Sequence, residues 1–277
     1  MTTYALSPGW NPRAFADKAL NASGALWFLT AVVGQCVFAA YIAAFYWAPT
    51  LQGHFAAWNR KDLIKGYVPH DTAGNLFFAV HVMIAALITT SGALQLVPSI
   101  RARAPAFHRW NGRFYITAAF LMALGGLWMI WIRGTRLGMT GAFASSLLAV
   151  LIMVCAGLTL RYAVARRFDI HHRWALRTFM VANGVWFQRL GYGAWITLNH
   201  GPVGVGDHMD GPFDLFLAFA CYLAPLAGLE LYLRTRDGAG TIGTLAMTGL
   251  VAGLAALTGI GTFGAYMMMW RPFLTGA

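Results

Sequence analysis

The sequence predicts an all-α fold, a polytopic transmembrane helix bundle. Two observations lead there. Of its 277 residues, 58% are hydrophobic and only 10% are charged, whereas soluble domains carry about a quarter charged residues. Continuous apolar runs of about 20 residues recur along the chain, the length that a hydrocarbon core of roughly 30 Å demands. Such unbroken runs exclude a spanning β-barrel, whose strands alternate in polarity. A third observation organises the middle of the chain. His108-Arg109-Trp110-Asn111-Gly112-Arg113 and His172-Arg173-Trp174-Ala175-Leu176-Arg177 both read His-Arg-Trp-x-x-Arg, 64 positions apart. Each phrase ends a basic segment and opens an apolar run. The expected fold is therefore seven helices with a four-helix core of two parallel hairpin repeats.

Residues 1–21 are polar and read as an N-terminal segment with no cleaved signal peptide, since no cleavage site follows a short apolar core. Residues 22–48 read as the first transmembrane helix and 49–72 as an outer loop with His54 and His70. The core is 73–198. Its runs are about 73–97, 114–132, 141–164 and 176–198, with the first repeat phrase before the second run and the other before the fourth. Residues 199–277 hold a Gly-rich loop and two further spans, about 212–233 and 241–270. The last contains Gly249-x-x-x-Gly253, a spacing that permits close helix approach within a bundle or between copies.

The formal charge of +11 follows from loop lysines and arginines rather than from a nucleic-acid partner. With the N-terminus inside, thirteen basic residues fall on the cytoplasmic side and six on the other, Arg189 being intramembrane. That excess predicts a cell inner (cytoplasmic) membrane protein with N-terminus cytoplasmic and C-terminus periplasmic. Both repeat phrases then lie at the cytoplasmic face, against anionic headgroups. Cys36, Cys155 and Cys221 are isolated in apolar runs and predict packing, not disulfides.

Two places suit chemistry. At the inner end, His108 and His172 face each other if the hairpins pack symmetrically. Two imidazoles across a bundle axis suit the iron of a b-type haem, with Arg113 and Arg177 near its propionates. Interfacial Trp and Arg are also plain anchors, so only the histidines need a special reason. In the outer half, His81 and Arg189 lie roughly 10–14 Å deep at 1.5 Å per residue. A charge there costs a few kcal/mol unless it faces protein, water or a ligand. Asp214, a cofactor carboxylate or an anionic head group would each serve Arg189, and His81 with Arg189 would suit a quinone. Gln95 lies fourteen residues after His81, on nearly the same face, with Ala85, Ile88 and Gly92 between them. Small residues there admit a flat ring. The repeat offset pairs His81 with Ser145 and Arg189 with Gly125, so the outer site is unsymmetric. The outer-loop residues His54, His70, Asp71, His200, Asp207, His208 and Asp210 show no diagnostic metal spacing.

His81, Gly92-Ala93-Leu94-Gln95-Leu96-Val97-Pro98, Arg101, His108-Arg109-Trp110-x-Gly112-Arg113-x-Tyr115, His172-Arg173-Trp174-x-x-Arg177 and Arg189 together resemble the bacterial predicted membrane proteins of domain-of-unknown-function family 2306, over about residues 74–198. The resemblance implies a multispan membrane protein and brings no activity with it. The His-then-His-Arg hairpin is also similar to a small membrane protein family implicated in assembling terminal oxidases, and broadly to two-haem and ferric-reductase membrane cytochromes. From the cytochromes this chain departs in lacking paired His on two helices. The function expected is a redox-linked membrane protein with a b-type haem or quinone in the core. The alternatives are a non-catalytic assembly or scaffold subunit contacting other membrane subunits, and a small-molecule transporter.

Overall fold

The computed structural model describes residues 11–60, 66–134 and 138–274, and among these every regular element is helical. Residues 1–10 of the N-terminal segment, and Lys61, Lys65 and Arg136 among the counted loop charges, lie outside the described residues.

Helix α1 (Pro12–Leu51) starts ten residues before the first apolar run expected from hydropathy. The reason is local. Asn11 Oδ1 accepts from the backbone N–H groups of Arg13 and Ala14 at 3.0 and 3.1 Å, and Pro12 occupies the first turn, where its missing N–H costs nothing. The 40 residues of α1 measure about 60 Å at 1.5 Å per residue, so its first turns extend beyond a bilayer core. A π-helical turn, Ala43–Trp47, interrupts it near its far end. A short 3₁₀ turn follows (Phe55–Arg60).

Helix α2 (Thr72–Leu96) is capped by Asp71 and ends where Val97, preceding Pro98, is extended. The short α3 (Pro98–Arg103) and α4 (Pro105–Arg133) follow, then α5 (Gly138–Val164). The fifth expected span is divided. It forms α6 (Phe168–Ala182) and α7 (Gly184–Leu198) with Asn183 between them. Asn183 Nδ2 donates back to the Phe179 carbonyl at 2.8 Å, while the Asn183 carbonyl still accepts from the Phe187 N–H at 2.9 Å. The helix is therefore bent at one residue rather than stopped. Helices α8 (Pro212–Gly238) and α9 (Thr241–Leu274) complete the chain. Among the described residues six helices are long and apolar enough to cross a membrane, and α6 with α7 makes the seventh span.

Around the bundle, α1 packs on α2, α2 on α4, α4 on α5 and α5 on α6. Helix α9 closes the circle by packing on both α1 and α7, while α8 lies against α5, α6 and α7. The two repeat hairpins are thus neighbours in an arc, completed by α1 and α9 rather than by each other. At the α7–α9 seam the two backbones approach closely. A Cβ on Gly261 would lie 2.6 Å from the Leu190 carbonyl oxygen, and one on Gly193 would lie 2.5 Å from the Ala265 nitrogen. Gly249 and Gly253 are exposed and have nothing within 4 Å of a built Cβ, so the bundle does not use that spacing.

Candidate functional site

The two repeat phrases fold alike locally. The Arg113 guanidinium carbon lies 4.7 Å from the Trp110 ring centroid, and that of Arg177 lies 4.7 Å from Trp174. Their surroundings differ. Arg177 makes a bidentate pair with Glu230 on α8, at 2.6 and 2.9 Å. Arg173 pairs with Asp237, about two turns further along α8. Arg109 and Arg113 are exposed, and no described carboxylate pairs with either.

The histidines are not equivalent either. His108 is half-buried, with its Nδ1 buried and without a hydrogen-bond partner. His172 is exposed. Its neighbour His171 points inward instead, its Nδ1 3.0 Å from the Thr159 carbonyl oxygen. Arg101 and His171 both lie within electrostatic reach of His108 and of His172. The structure therefore gathers His108, His171, His172 and Arg101 at one end of the bundle. His171 was not singled out by the repeat because its own counterpart, Phe107, is not histidine.

Gln95 clips the first hairpin: its Nε2 donates to the His108 carbonyl at 3.2 Å, beside a Ser91–Asn111 pair at 2.8 Å. On the small-residue face beside it the ring that packs is the chain's own. Tyr115 packs on Gly92 so closely that a Cβ there would meet its Cε2 at 2.7 Å.

Arg189 projects from α7 towards α1. Its Nη1 donates to the Val185 carbonyl at 2.9 Å, and its guanidinium carbon lies 5.3 Å from the Phe38 ring centroid. No described carboxylate pairs with it. Asp214, a partner considered from sequence, is committed elsewhere: it accepts from the Tyr192 hydroxyl at 2.6 Å and from the Gly206 and Gly211 N–H groups at 2.8 and 2.9 Å. The guanidinium borders an aromatic wall. Phe38, Tyr41, Phe45, Tyr46 and Trp270 share one buried cluster with Phe78, Trp186 and Leu190, and Arg189 acts electrostatically on Tyr41 and Tyr46. The π-helical turns of α1 and α9 (Tyr266–Trp270) supply Phe45, Tyr46 and Trp270 to this wall. Such turns rotate side chains out of helical register, which hydropathy alone does not reveal.

His81 lies on α2, whose Phe78 belongs to the wall. Phe78, one turn before it, packs on Tyr46 with centroids 5.7 Å apart. His81 Nδ1 is buried without a hydrogen-bond partner, beside Gly125 of α4, where a Cβ would lie 3.7 Å away. One turn nearer the repeat end, Gln35 Nε2 donates to Asn183 Oδ1 at 3.0 Å, while Gln35 Oε1, Trp186 Nε1 and Thr262 Oγ1 are buried and unpartnered. Polar Gln35 and Asn183 inside apolar runs are the signal that could have located this layer. On the other side of α7, a cavity of about 40 Å³ is lined by residues including Ser145, Gln188, Tyr192 and Asp214. Among the described residues no group of three or more His, Cys, Asp and Glu could hold a metal ion.

Long apolar helices, charges gathered mostly towards helix ends with Arg189 as the intramembrane exception, and an outer surface of Leu, Phe and Val define a polytopic helical membrane protein. Residues 78–203 match the family model described as predicted membrane protein (DUF2306). That match bears out the resemblance carried by the repeat motifs, and it contains His81, both repeat phrases and Arg189. No curated protein and no solved structure matches the chain.

Proposed function

We propose that this membrane protein is redox-linked and holds a quinone head group beside Arg189 and His81. The observation that carries the reading is the unmet donor capacity of Arg189. A guanidinium has five N–H groups, and the described structure gives one of them a carbonyl. Inside a bilayer such a cation is stable only against protein, water or a ligand with acceptor oxygens. A quinone offers two carbonyl acceptors on a planar apolar ring, which suits the Phe38, Tyr41 and Tyr46 wall. His81, with a free ring nitrogen, would donate to or accept from the second carbonyl. When bound, the quinone would supply electron and proton transfer. The protein would orient it and keep bulk water away. The bilayer is read as the cell inner membrane with the repeat end cytoplasmic.

Protein purified in mild detergent and reconstituted with excess quinone should retain it on extraction. Arg189→Ala should bind it about ten- to a hundredfold more weakly, the loss of a charge-assisted hydrogen bond. Equal retention by the variant would reject the site, and no retention by the native chain would reject the reading. A reduced-minus-oxidised spectrum with b-type bands that disappear in His108→Ala would instead place the redox group at the repeat end.

A further inference from the structure

The internal repeat carries a second inference, independent of the quinone reading. In the second hairpin, Arg173 and Arg177 stand four residues apart on one face of α6, and that face is covered by α8 through Asp237 and Glu230. In the first hairpin, Arg109 and Arg113 hold the same spacing on α4, and Arg113 stacks on Trp110 at the same 4.7 Å as Arg177 on Trp174. Among the described residues no helix covers this copy, whose Arg109 and Arg113 are exposed. Trp110 is 68% exposed. Below the arginines, Phe114, Phe120, Leu121 and Leu124 are exposed too. They continue at helical spacing towards the bundle's middle, so the arginines crown an apolar stripe that faces the bilayer.

We propose that Arg109 and Arg113 bind the phosphate of an anionic phospholipid, in the place that the α8 carboxylates take on the second hairpin. The geometry favours a lipid over an acidic partner helix. Two guanidinium groups at the end of a bilayer-facing apolar stripe meet a phosphate at headgroup depth, while the stripe receives the acyl chains. Trp110 is amphipathic and sits at the same level, as interfacial tryptophans do. Lipid is also present there without any binding partner having to be supplied.

The test uses the full chain in nanodiscs that contain phosphatidylglycerol and phosphatidylcholine. Native mass spectrometry should show retained phosphatidylglycerol in preference to phosphatidylcholine. Arg109→Gln with Arg113→Gln should reduce that preference about tenfold. Both side chains are exposed, so the variant tests binding without removing a core contact. An undiminished preference in the variant, or none in the native chain, would overturn the proposal. A photo-crosslinking amino acid in place of Phe114, expressed in cells, distinguishes the occupants: adducts to phospholipid are expected, and adducts dominated by a protein would overturn the lipid assignment.

Discussion

Asp71 shows how a single carboxylate ties the loop before α2 to the rest of the bundle. It accepts from the Gly74 N–H at 2.8 Å and from Arg133 Nε at 3.0 Å. Arg133 also reaches the Gly66 carbonyl and Asn75 Oδ1, at 2.8 and 2.9 Å. The Gly74 N–H, and then Arg133, hold the Asp71 carboxyl below its ordinary value of 3.8. The folded state therefore binds this proton less readily than the unfolded chain. The contact's contribution is complete above the ordinary value and is lost as pH falls through the lowered one. Thermal unfolding in detergent, followed by tryptophan fluorescence, should show a midpoint that drops on acidification through this range. Asp71→Asn should lower the midpoint at neutral pH and flatten that part of the profile. A profile identical to the native one would remove Asp71 from the account. The pair is partly legible in sequence: Asp71 precedes an apolar run as a cap does, whereas nothing local marks Arg133, 62 positions away, as its partner.

Glycine separates what an element's sequence suggests from what its packing requires. The Gly249–Gly253 spacing on α9 invites close helix approach, yet both residues face outward. The seam is made instead by Gly261 and Gly264 of α9 against Leu190 and Gly193 of α7. There a Cβ would meet backbone atoms, which cannot turn aside as a flexible side chain can. Gly193→Ala or Gly261→Ala should therefore cost about 2–3 kcal/mol, seen as a lower unfolding midpoint. Gly249→Ala should stay within about 0.5 kcal/mol of the native protein. Equal effects at Gly249 and Gly193 would refute the seam. The α6–α7 bend belongs to the same scale. Asn183 is a weak helix former, and Gly184 follows it with Leu148 Cδ2 2.9 Å from where its Cβ would be. Asn183, Gln188 and Arg189 interrupt the apolar pattern of this run, but its length of 23 residues suits one crossing, which is why it reads as a single span.

At the scale of the molecule, the order of helices predicts a topology. Ala104, between α3 and α4, lies at the repeat end, and Val203 follows α7 at the opposite end. Both are exposed. If α4, α5 and the bent α6–α7 all cross, cysteines introduced at these positions label from opposite sides. With the repeat end cytoplasmic, an impermeant thiol reagent should label Val203→Cys in intact cells and Ala104→Cys only after permeabilisation. Reversed labelling would overturn the orientation, and labelling of both from one side would overturn the span count. The ring also accounts for the different fates of the repeats. Because α8 packs against α5, α6, α7 and α9, one hairpin is roofed by protein and the other faces outward.

The apolar runs, the scarcity of charge and the doubled His-Arg-Trp-x-x-Arg were enough by themselves to determine an all-helical membrane bundle with two related hairpins. They also flagged Arg189, because span length and the cost of an intramembrane charge are local properties of the chain. The surroundings of each candidate were decided only by the tertiary structure. Asp214 is taken by Tyr192 and two backbone N–H groups, Tyr115 fills the face at Gly92, and α8 neutralises one pair of repeat arginines and leaves the other. Those outcomes depend on contacts between residues distant in sequence, which identical motifs do not encode. Two copies of the same phrase fold alike up to the reach of their own helix, and beyond it their chemistry is set by what packs against them.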